Sequence, residues 1–239
     1  MKLSERLQVC ADLVRPGGCA ADIGTDHGFL AIWLVQNHVC AEVIAADLRE
    51  KPLETARKNA RAAGAAEHIS FCISDGLQSI PVERVDTVIC AGMGGDLITG
   101  ILEAAAAAWT PDRQFILQPQ SAAADLRAWL IRHGFEILEE RFASDAGFIY
   151  TVLDVRYRGP NAVREPSPAE CVLPQGDTRR GSALYRRYLC RTLENVAKTV
   201  DGLQRAREQD TEKLAYFRAA LTALQLREKE DLAYDENSQ

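Results

Sequence analysis

The sequence predicts a doubly wound α/β domain followed by a helical hairpin. Over the first two thirds of the chain, short apolar runs rich in β-branched residues alternate with longer helical patterns. This order is typical of βαβ units and a parallel sheet. A segment rich in proline and glycine then interrupts the pattern. Beyond it, apolar residues recur at alternating spacings of three and four, as in helices that pack along a seam.

The alternating region predicts five strands and four intervening helices, after an amphipathic N-terminal helix over residues 1–14. The expected strands are 19–23, 42–47, 69–74, 85–90 and 113–118, and the expected helices are 28–37, 51–64, 95–108 and 121–133.

Two further strands are expected at 135–142 and 148–156. Only the turn-prone residues Ser144-Asp145-Ala146-Gly147 mark the connection. So short a connection cannot carry a parallel crossover, so these strands should form an antiparallel hairpin. An NAD-binding sheet would more often continue with a parallel sixth strand.

A linker should follow, because proline and glycine break both helices and strands. We place the domain boundary there, which gives one domain over residues 1–159 and a linker with a helical hairpin over residues 160–239. The breaking residues are Gly159, Pro160, Pro166, Pro168, Pro174, Gly176 and Gly181.

The C-terminal repeat predicts two antiparallel helices. Extending its frame would put Arg207 and Asp210 on the apolar seam, so a turn is expected near 207–211, with Asp210 or Thr211 capping the second helix. One continuous, dimeric coiled coil is the open alternative. The seam residues are Leu189, Leu193, Val196, Val200 and Leu203, then Leu214, Phe217, Leu221 and Leu224.

Composition favours a cytoplasmic protein. Hydrophobic residues make up 47% of the chain, yet no run of 18 apolar residues is present to span a membrane. The N-terminus carries Glu5, Arg6 and Asp12, unlike a signal peptide. None of the seven cysteines forms a Cys-x-x-Cys pair, which favours buried thiols over disulfides or a metal site.

Charge is distributed unevenly. The chain has a net charge of −6, with −8 in residues 1–155 and +2 in residues 156–239. Binding of an anionic partner by the C-terminal part therefore stays an open alternative.

The first strand ends in a glycine loop, Asp22-Ile23-Gly24-Thr25-Asp26-His27-Gly28. Glycines at a strand-to-helix turn let the backbone approach a ligand closely. The dinucleotide fingerprint is absent, and the acidic residues would repel a pyrophosphate. They suit S-adenosylmethionine, which carries a sulfonium and an ammonium group. The alternative is an ordinary βα turn.

Acidic residues follow the next two strands. Asp47, followed by Leu48, lies 23 residues after Gly24, near the offset at which an acid binds ribose hydroxyls. Asp75 and Gly76 end the third strand, where an acid can accept from an adenine amino group. The alternatives are a helix cap at Asp47 and a simple Asp-Gly turn.

The fourth and fifth strands end in Gly92-Met93-Gly94-Gly95 and in Gln118-Pro119-Gln120. The glycines leave space where a cofactor and a base would meet. The chain has no Asp/Asn-Pro-Pro-aromatic sequence at this point, so a ring nitrogen is favoured over an exocyclic amine. Gln120 could bind the edge of a base or could begin the next helix. All these strand ends should share one sheet edge, where doubly wound sheets bind ligands.

Together these residues resemble the bacterial tRNA (adenine(22)-N(1))-methyltransferases, the TrmK family. The resemblance rests on Leu3–Leu7, Asp22–Gly28, Ala91–Gly95, Leu117–Pro119 and the C-terminal helices. It implies a class I Rossmann-like methyltransferase sheet, S-adenosylmethionine as donor and N1 of a tRNA adenine as acceptor. A sheet that ends in a hairpin agrees with this. Family members usually have asparagine where this chain has Gln120. Glutamine keeps the amide but is one methylene longer, so the difference affects how the base would be positioned.

The resemblance and the strand ends together give the candidate site. Asp26, His27 and Gln120 are the candidate catalytic residues, although His27 also fits a packed structural histidine. The candidate cofactor-binding residues are Asp22, Gly24, Asp26, His27, Gly28, Asp47, Leu48, Asp75, Gly76, Gly92 and Met93.

RNA binding is assigned to a basic stretch of 13 residues without an acid, in which Tyr185 and Tyr188 are interleaved. The alternative is a solvated helix face. A monomer is expected rather than a dimer. Two other functions stay open: methylation of another RNA or a small molecule, and RNA binding without catalysis. The arginines of this stretch are Arg179, Arg180, Arg186, Arg187 and Arg191.

Overall fold

The computed structural model describes residues 1–176, 178, 182–206 and 210–236. Its strands are β1 (Cys19–Ile23), β2 (Glu42–Asp47), β3 (Ile69–Ile73), β4 (Thr87–Gly94), β5 (Gln114–Ser121), β6 (Phe135–Asp145) and β7 (Phe148–Tyr157). Its helices are α1 (Glu5–Leu13), α2 (Phe29–Gln36), α3 (Glu50–Ala62), α4 (Gly95–Glu103), α5 (Ala123–Arg132), α6 (Pro168–Val172), α7 (Ala183–Arg205) and α8 (Thr211–Glu236).

The seven strands form one sheet in the order β3-β2-β1-β4-β5-β7-β6. The first five strands are parallel, and β7 pairs antiparallel with both β5 and β6. The predicted class I Rossmann-like sheet with a terminal hairpin is therefore confirmed. The chain reverses direction across the sheet between β1 and β4, which leaves a crevice at their carboxyl ends.

Helices cover both faces of the sheet, which explains why its central strands are almost continuously apolar. One hydrophobic cluster packs Ile98 of α4 and Leu126 of α5 against the sheet. A second cluster packs Leu30 of α2 on the opposite face, together with residues of α1 and α3. Burial on both faces fixes the sheet and so holds the loops at its carboxyl edge in place.

The segment predicted to be a linker contains the short helix α6, so the expectation that its prolines and glycines break every helix was wrong at this point. Ser167 caps α6 by accepting from the Glu170 backbone N–H, and the Glu170 carboxylate accepts from the Ser167 backbone N–H in return. Pro168 occupies the first turn, where its missing N–H costs nothing. The proline therefore begins a helix here rather than breaking one. The boundary between residues 159 and 160 stays a prediction.

The C-terminal part folds back on itself, as the interrupted seam predicts. The Asp210 carboxylate accepts from the Lys213 backbone N–H at 2.9 Å and caps α8. Leu189, Val196 and Leu224 are buried in one cluster with Phe142 of the sheet. The helical hairpin is therefore confirmed, and these seam residues are covered within one chain.

A buried ion pair fastens the helical hairpin to the sheet. The Arg127 guanidinium of α5 binds the Glu140 carboxylate of β6, and both side chains are almost fully buried. Arg127 also donates to the Cys171 carbonyl at 3.1 Å and to the Tyr188 hydroxyl at 2.9 Å. The charges are thus satisfied by partners from α5, β6, α6 and α7, so their geometry depends on all four elements.

None of the described helices is both long and apolar enough to cross a membrane. All seven cysteines are free thiols, and Cys190 is exposed.

Candidate functional site

The loop after β1 curls over the neighbouring strand ends. Gly24 and Gly28 both adopt positive φ, at +75° and +69°. The backbone N–H groups of Gly24 and Thr25 donate to the Ala46 carbonyl of β2 at 2.8 and 2.9 Å. A Cβ atom on Gly24 would overlap the terminal methyl of Met93. Glycine at this position therefore allows the first and fourth strand ends to meet.

Asp22 lies beneath this loop with only 5% of its surface exposed. Burial raises the pKa of its carboxyl from 3.8 to about 6, although a hydrogen bond with Thr25 partly offsets that effect. A nearby cation stabilises a buried carboxylate, because it offsets the hydration that the carboxylate loses on burial. Asp22 is thus suited to a positively charged ligand group.

Asp26 and His27 form the outer part of the loop. His27 Nε2 lies 3.0 Å from Asp26 Oδ2, and 75% of the Asp26 side chain is exposed. The His27 ring stacks on Phe29 with centroids 5.2 Å apart, while the Asn59 side-chain amide donates to the His27 carbonyl at 2.9 Å. The imidazole is therefore held in position at the rim and remains accessible.

The second and third strand ends lie beside this loop. One Asp47 oxygen accepts from the Arg49 backbone N–H at 2.8 Å, and Arg49, not Asp47, is the residue before α3. The helix-cap interpretation of Asp47 was therefore wrong. The Leu48 side chain is 64% exposed beside it, an orientation that would place its apolar surface against a ligand.

Asp75 and Gly76 lie at the end of β3, next to Asp47. The Ser74 backbone N–H donates to the Asp47 carbonyl at 3.0 Å, which ties the second and third strand ends together. Gly76 has φ +55° and sits against Ile101. The exposed Asp75 carboxylate is thus held at the same edge of the sheet as Asp47.

The fourth strand end is held by a buried glutamine. Gln118 Oε1 accepts from the Gly92 backbone N–H at 2.9 Å and from Arg6 Nη1 at 2.7 Å. Arg6 Nε also lies 3.8 Å from the Asp145 carboxylate at the tip of the β6–β7 hairpin. Arg6 therefore connects α1, the glycine turn at 92 and the hairpin tip.

The acidic loop, α1 and the hairpin tip enclose a cleft of about 430 Å³, whereas the ends of β2 and β3 with Asp47 and Asp75 lie outside its lining. The cleft is bounded on one side by the acidic loop and on the other by α1 and the hairpin tip. A larger cavity of about 670 Å³ lies at the opposite end of β6 and β7, away from the strand ends. The smaller cleft is the better candidate because Asp22, Asp26 and His27 all line it. Its lining includes Arg6, Asp22, Gly24, Thr25, Asp26, His27, Gly28, Phe29, Ala91 and Asp145.

Gln120 is the last residue but one of β5, and its side chain is exposed. The strand continues to Ser121, and α5 begins only at Ala123, after Ala122 adopts a positive φ of +54°. The alternative in which Gln120 begins the helix was therefore wrong. Its position leaves the amide at the carboxyl edge of the sheet.

Comparison with known proteins agrees with this geometry. Residues 3–153 match a family described as a methyltransferase domain. The chain belongs to this methyltransferase family. A curated tRNA (adenine(22)-N(1))-methyltransferase of Bacillus subtilis is 37% identical over 153 residues, which are 64% of this chain and 64% of that protein. This alignment thus spans less than two thirds of the relative's length.

Solved structures extend the likeness over the C-terminal helices. The crystal structure of the Bacillus subtilis tRNA methyltransferase TrmK superposes with a TM-score of 0.80 at 27% identity, over 95% of this chain and 99% of that chain. Streptococcus pneumoniae Sp1610 in complex with S-adenosyl-L-methionine gives a TM-score of 0.72 at 29% identity, over 95% of this chain and 100% of that one. The resemblance to the TrmK family is confirmed.

The basic stretch that the sequence assigns to RNA binding lies partly on α7. Arg179 and Arg180 lie outside the described residues, while Arg186, Arg187 and Arg191 are exposed on α7. Of the two interleaved tyrosines, Tyr185 is fully buried, so the expectation of an aromatic beside these arginines was wrong for this residue. Tyr188 is half-buried and its hydroxyl accepts from Arg127, so its place beside the arginines stays a prediction.

The sequence does not point to the roles of Arg6, Gln118 and Asp145 at this site. Arg6 and Asp145 line the cleft, while Gln118 binds Arg6 and the Gly92 backbone beside it. A polar Gln118 within an apolar strand was the available signal, because a buried amide requires partners. Nothing in the local sequence indicated that Arg6 and Asp145 would meet.

Proposed function

We propose that this chain is a tRNA (adenine(22)-N(1))-methyltransferase that uses S-adenosylmethionine. The observation that supports this best is the acidic cleft at the carboxyl edge of a methyltransferase sheet, in which buried Asp22 lies under the Gly24 turn. The B. subtilis relative bears that activity in its name, and the C-terminal helices that accompany the catalytic fold there are present here.

The strand ends fit the cofactor. Asp22 would face its ammonium group, Asp47 would accept from the ribose hydroxyls, and Asp75 would accept from the adenine amino group. Gly24, Gly28, Gly76 and Gly92 keep the backbone close to it, and Leu48 and Met93 contribute apolar contacts. When bound, the cofactor supplies a methyl group activated by the adjacent sulfonium. The side chains of the loop provide negative charge that offsets this cation.

The remaining cleft residues act on the methyl acceptor. An adenine extruded from the tRNA would enter beside Gly92 and Gln120. Asp26 would stabilise the positive charge that develops on the base when its N1 lone pair forms the new bond. His27 holds Asp26 in place at 3.0 Å. Orientation of the two reactants would contribute most of the rate acceleration.

The exposed arginines of α7 would contact tRNA phosphates, together with Arg179 and Arg180. We assign catalysis to residues 1–159 and RNA docking to residues 160–239, where the helical hairpin and not the linker before it would contact the RNA. A monomer is supported by the seam, whose Leu189, Val196 and Leu224 are covered within one chain.

The proposal is tested with two tRNA transcripts that differ only at position 22. With labelled cofactor, a transcript carrying adenine 22 should accept methyl groups, while one carrying guanine 22 should not. Asp26→Asn should lower the turnover number much more than it lowers the cofactor affinity. Equal labelling of both transcripts would refute the assigned position, and full turnover by Asp26→Asn would refute the role of Asp26.

A further inference from the structure

An aromatic ring stands exposed at the tip of the β6–β7 hairpin. Asp145 and Phe148 pair across a two-residue turn in which Ala146 and Gly147 have φ of +48° and +83°. Positive φ at both positions is the geometry of a tight type I′ turn, which continues the twist of the strands. Phe148 is nevertheless 52% exposed. A rigid turn thus presents an apolar ring to solvent.

The neighbours of this ring include a cation. The Arg191 guanidinium lies 5.7 Å from the centroid of the Phe148 ring, and the Tyr150 ring is 6.3 Å away at an angle of 42°. Arg187 lies one helical turn before Arg191 on α7, and both are exposed. Aromatic rings beside arginines match the two parts of a nucleotide, because bases stack on rings and phosphates bind guanidinium groups.

The same turn also borders the cleft. Asp145 is a cleft-lining residue and lies 3.8 Å from Arg6. Residues paired across an antiparallel ladder have Cα atoms about 5 Å apart. Phe148 therefore lies between the rim of the cleft and the arginines of α7.

We propose that Phe148 is a stacking platform for a tRNA nucleotide adjacent to the target adenine, with Arg191 on its phosphate. This inference rests on the proposed function, since its occupant is the strand that delivers the adenine. Extruding one base breaks the stacking of its neighbours. An aromatic ring at the rim can replace the lost contact without requiring a particular base, because each base has a π face.

The test compares three substitutions in the full-length protein. Affinity for an unmodified tRNA transcript is measured in the presence of S-adenosylhomocysteine. Phe148→Ala should weaken binding by roughly 5- to 150-fold, the range for loss of one base–aromatic stack. Phe148→Leu should weaken it similarly, because leucine keeps apolar volume but has no ring. Phe148→Trp should bind nearly as well as the wild type.

Val163→Ala is the matched control. Val163 is also 52% exposed but lines the cavity at the opposite end of β6 and β7. Its loss should leave tRNA affinity unchanged. S-adenosylhomocysteine affinity and the thermal midpoint verify folding, and Phe148→Leu with Phe148→Trp decide the matter if the alanine variant does not fold.

Wild-type affinity in Phe148→Leu would overturn the platform, because packing alone would then suffice. Equal loss in Phe148→Leu and Phe148→Trp would also overturn it. A wild-type protein that methylates no tRNA would instead refute the proposed function. Normal methylation by the wild type with an unchanged tRNA KM in Phe148→Leu would refute only the platform.

Discussion

Asp22→Asn should stabilise the cofactor-free protein and weaken its binding of S-adenosylmethionine. Asp22 is buried with a folded-state pKa of about 6, above its ordinary 3.8. The folded state therefore binds more protons than the unfolded state between these pH values, and the free energy of unfolding falls as pH rises through this range. Asparagine removes the buried charge and keeps an oxygen that can accept from Thr25.

The magnitude follows from that difference in pKa. At pH 8, where the carboxyl is ionised in both states, burial of Asp22 lowers the free energy of unfolding by roughly 3 kcal/mol. At pH 5 the carboxyl is largely protonated in the folded state, and the loss is roughly 1.5 kcal/mol. The gain from Asp22→Asn should therefore be about twice as large at pH 8. Wild-type cofactor affinity should rise from pH 5 to pH 7, because the ionised carboxylate is the form that attracts the ammonium group.

Urea unfolding of both proteins at pH 5 and pH 8 measures the stability, and titration calorimetry measures cofactor binding. Excess cofactor should stabilise the wild type more than the variant. A variant less stable than the wild type at pH 8 would refute the assigned burial cost. Unchanged cofactor affinity would refute the contact with the ammonium group.

Three other substitutions test separate parts of the molecule. Gly24→Ala should lower the free energy of unfolding by about 1–2 kcal/mol in urea, because the left-handed backbone carries that cost once a side chain is present. The added methyl also displaces the Met93 side chain beside the glycine loop, so calorimetry should show weaker cofactor binding. Unchanged stability together with wild-type affinity would contradict this. Arg127→Met should lower the free energy of unfolding by about 3–5 kcal/mol in urea, because Glu140 is left buried without its cation, whereas a change below about 1 kcal/mol would be inconsistent with that pair. Arg187→Glu should raise the tRNA KM and reduce the dependence of that KM on salt, because one phosphate contact is lost. An unchanged dependence on salt would show that Arg187 does not contact the tRNA.

The sheet could be predicted closely because its strands are marked by local patterns. The five parallel strands and the terminal hairpin were all expected, and β1 and β2 have the predicted bounds. Boundaries differ where backbone geometry decides them. The helix expected from residue 121 begins at Ala123, since β5 continues to Ser121 and Ala122 then adopts a left-handed conformation.

The cleft was predicted in part. Its acidic loop follows one strand and is visible in the sequence, but the contact between Arg6 and Gln118 joins residues 112 positions apart. No local pattern encodes such a contact. The burial of Tyr185, by contrast, could have been predicted from a local pattern. Tyr185 lies four residues before Leu189, so extending the apolar seam backwards places it in the core.

The most direct test is to incubate the purified protein with labelled S-adenosylmethionine and unmodified bulk tRNA, digest the RNA and identify the labelled nucleoside. The proposed function predicts label in 1-methyladenosine, which identifies donor, acceptor and reaction together. Cofactor binding without labelled tRNA, or label in any other nucleoside, would contradict it.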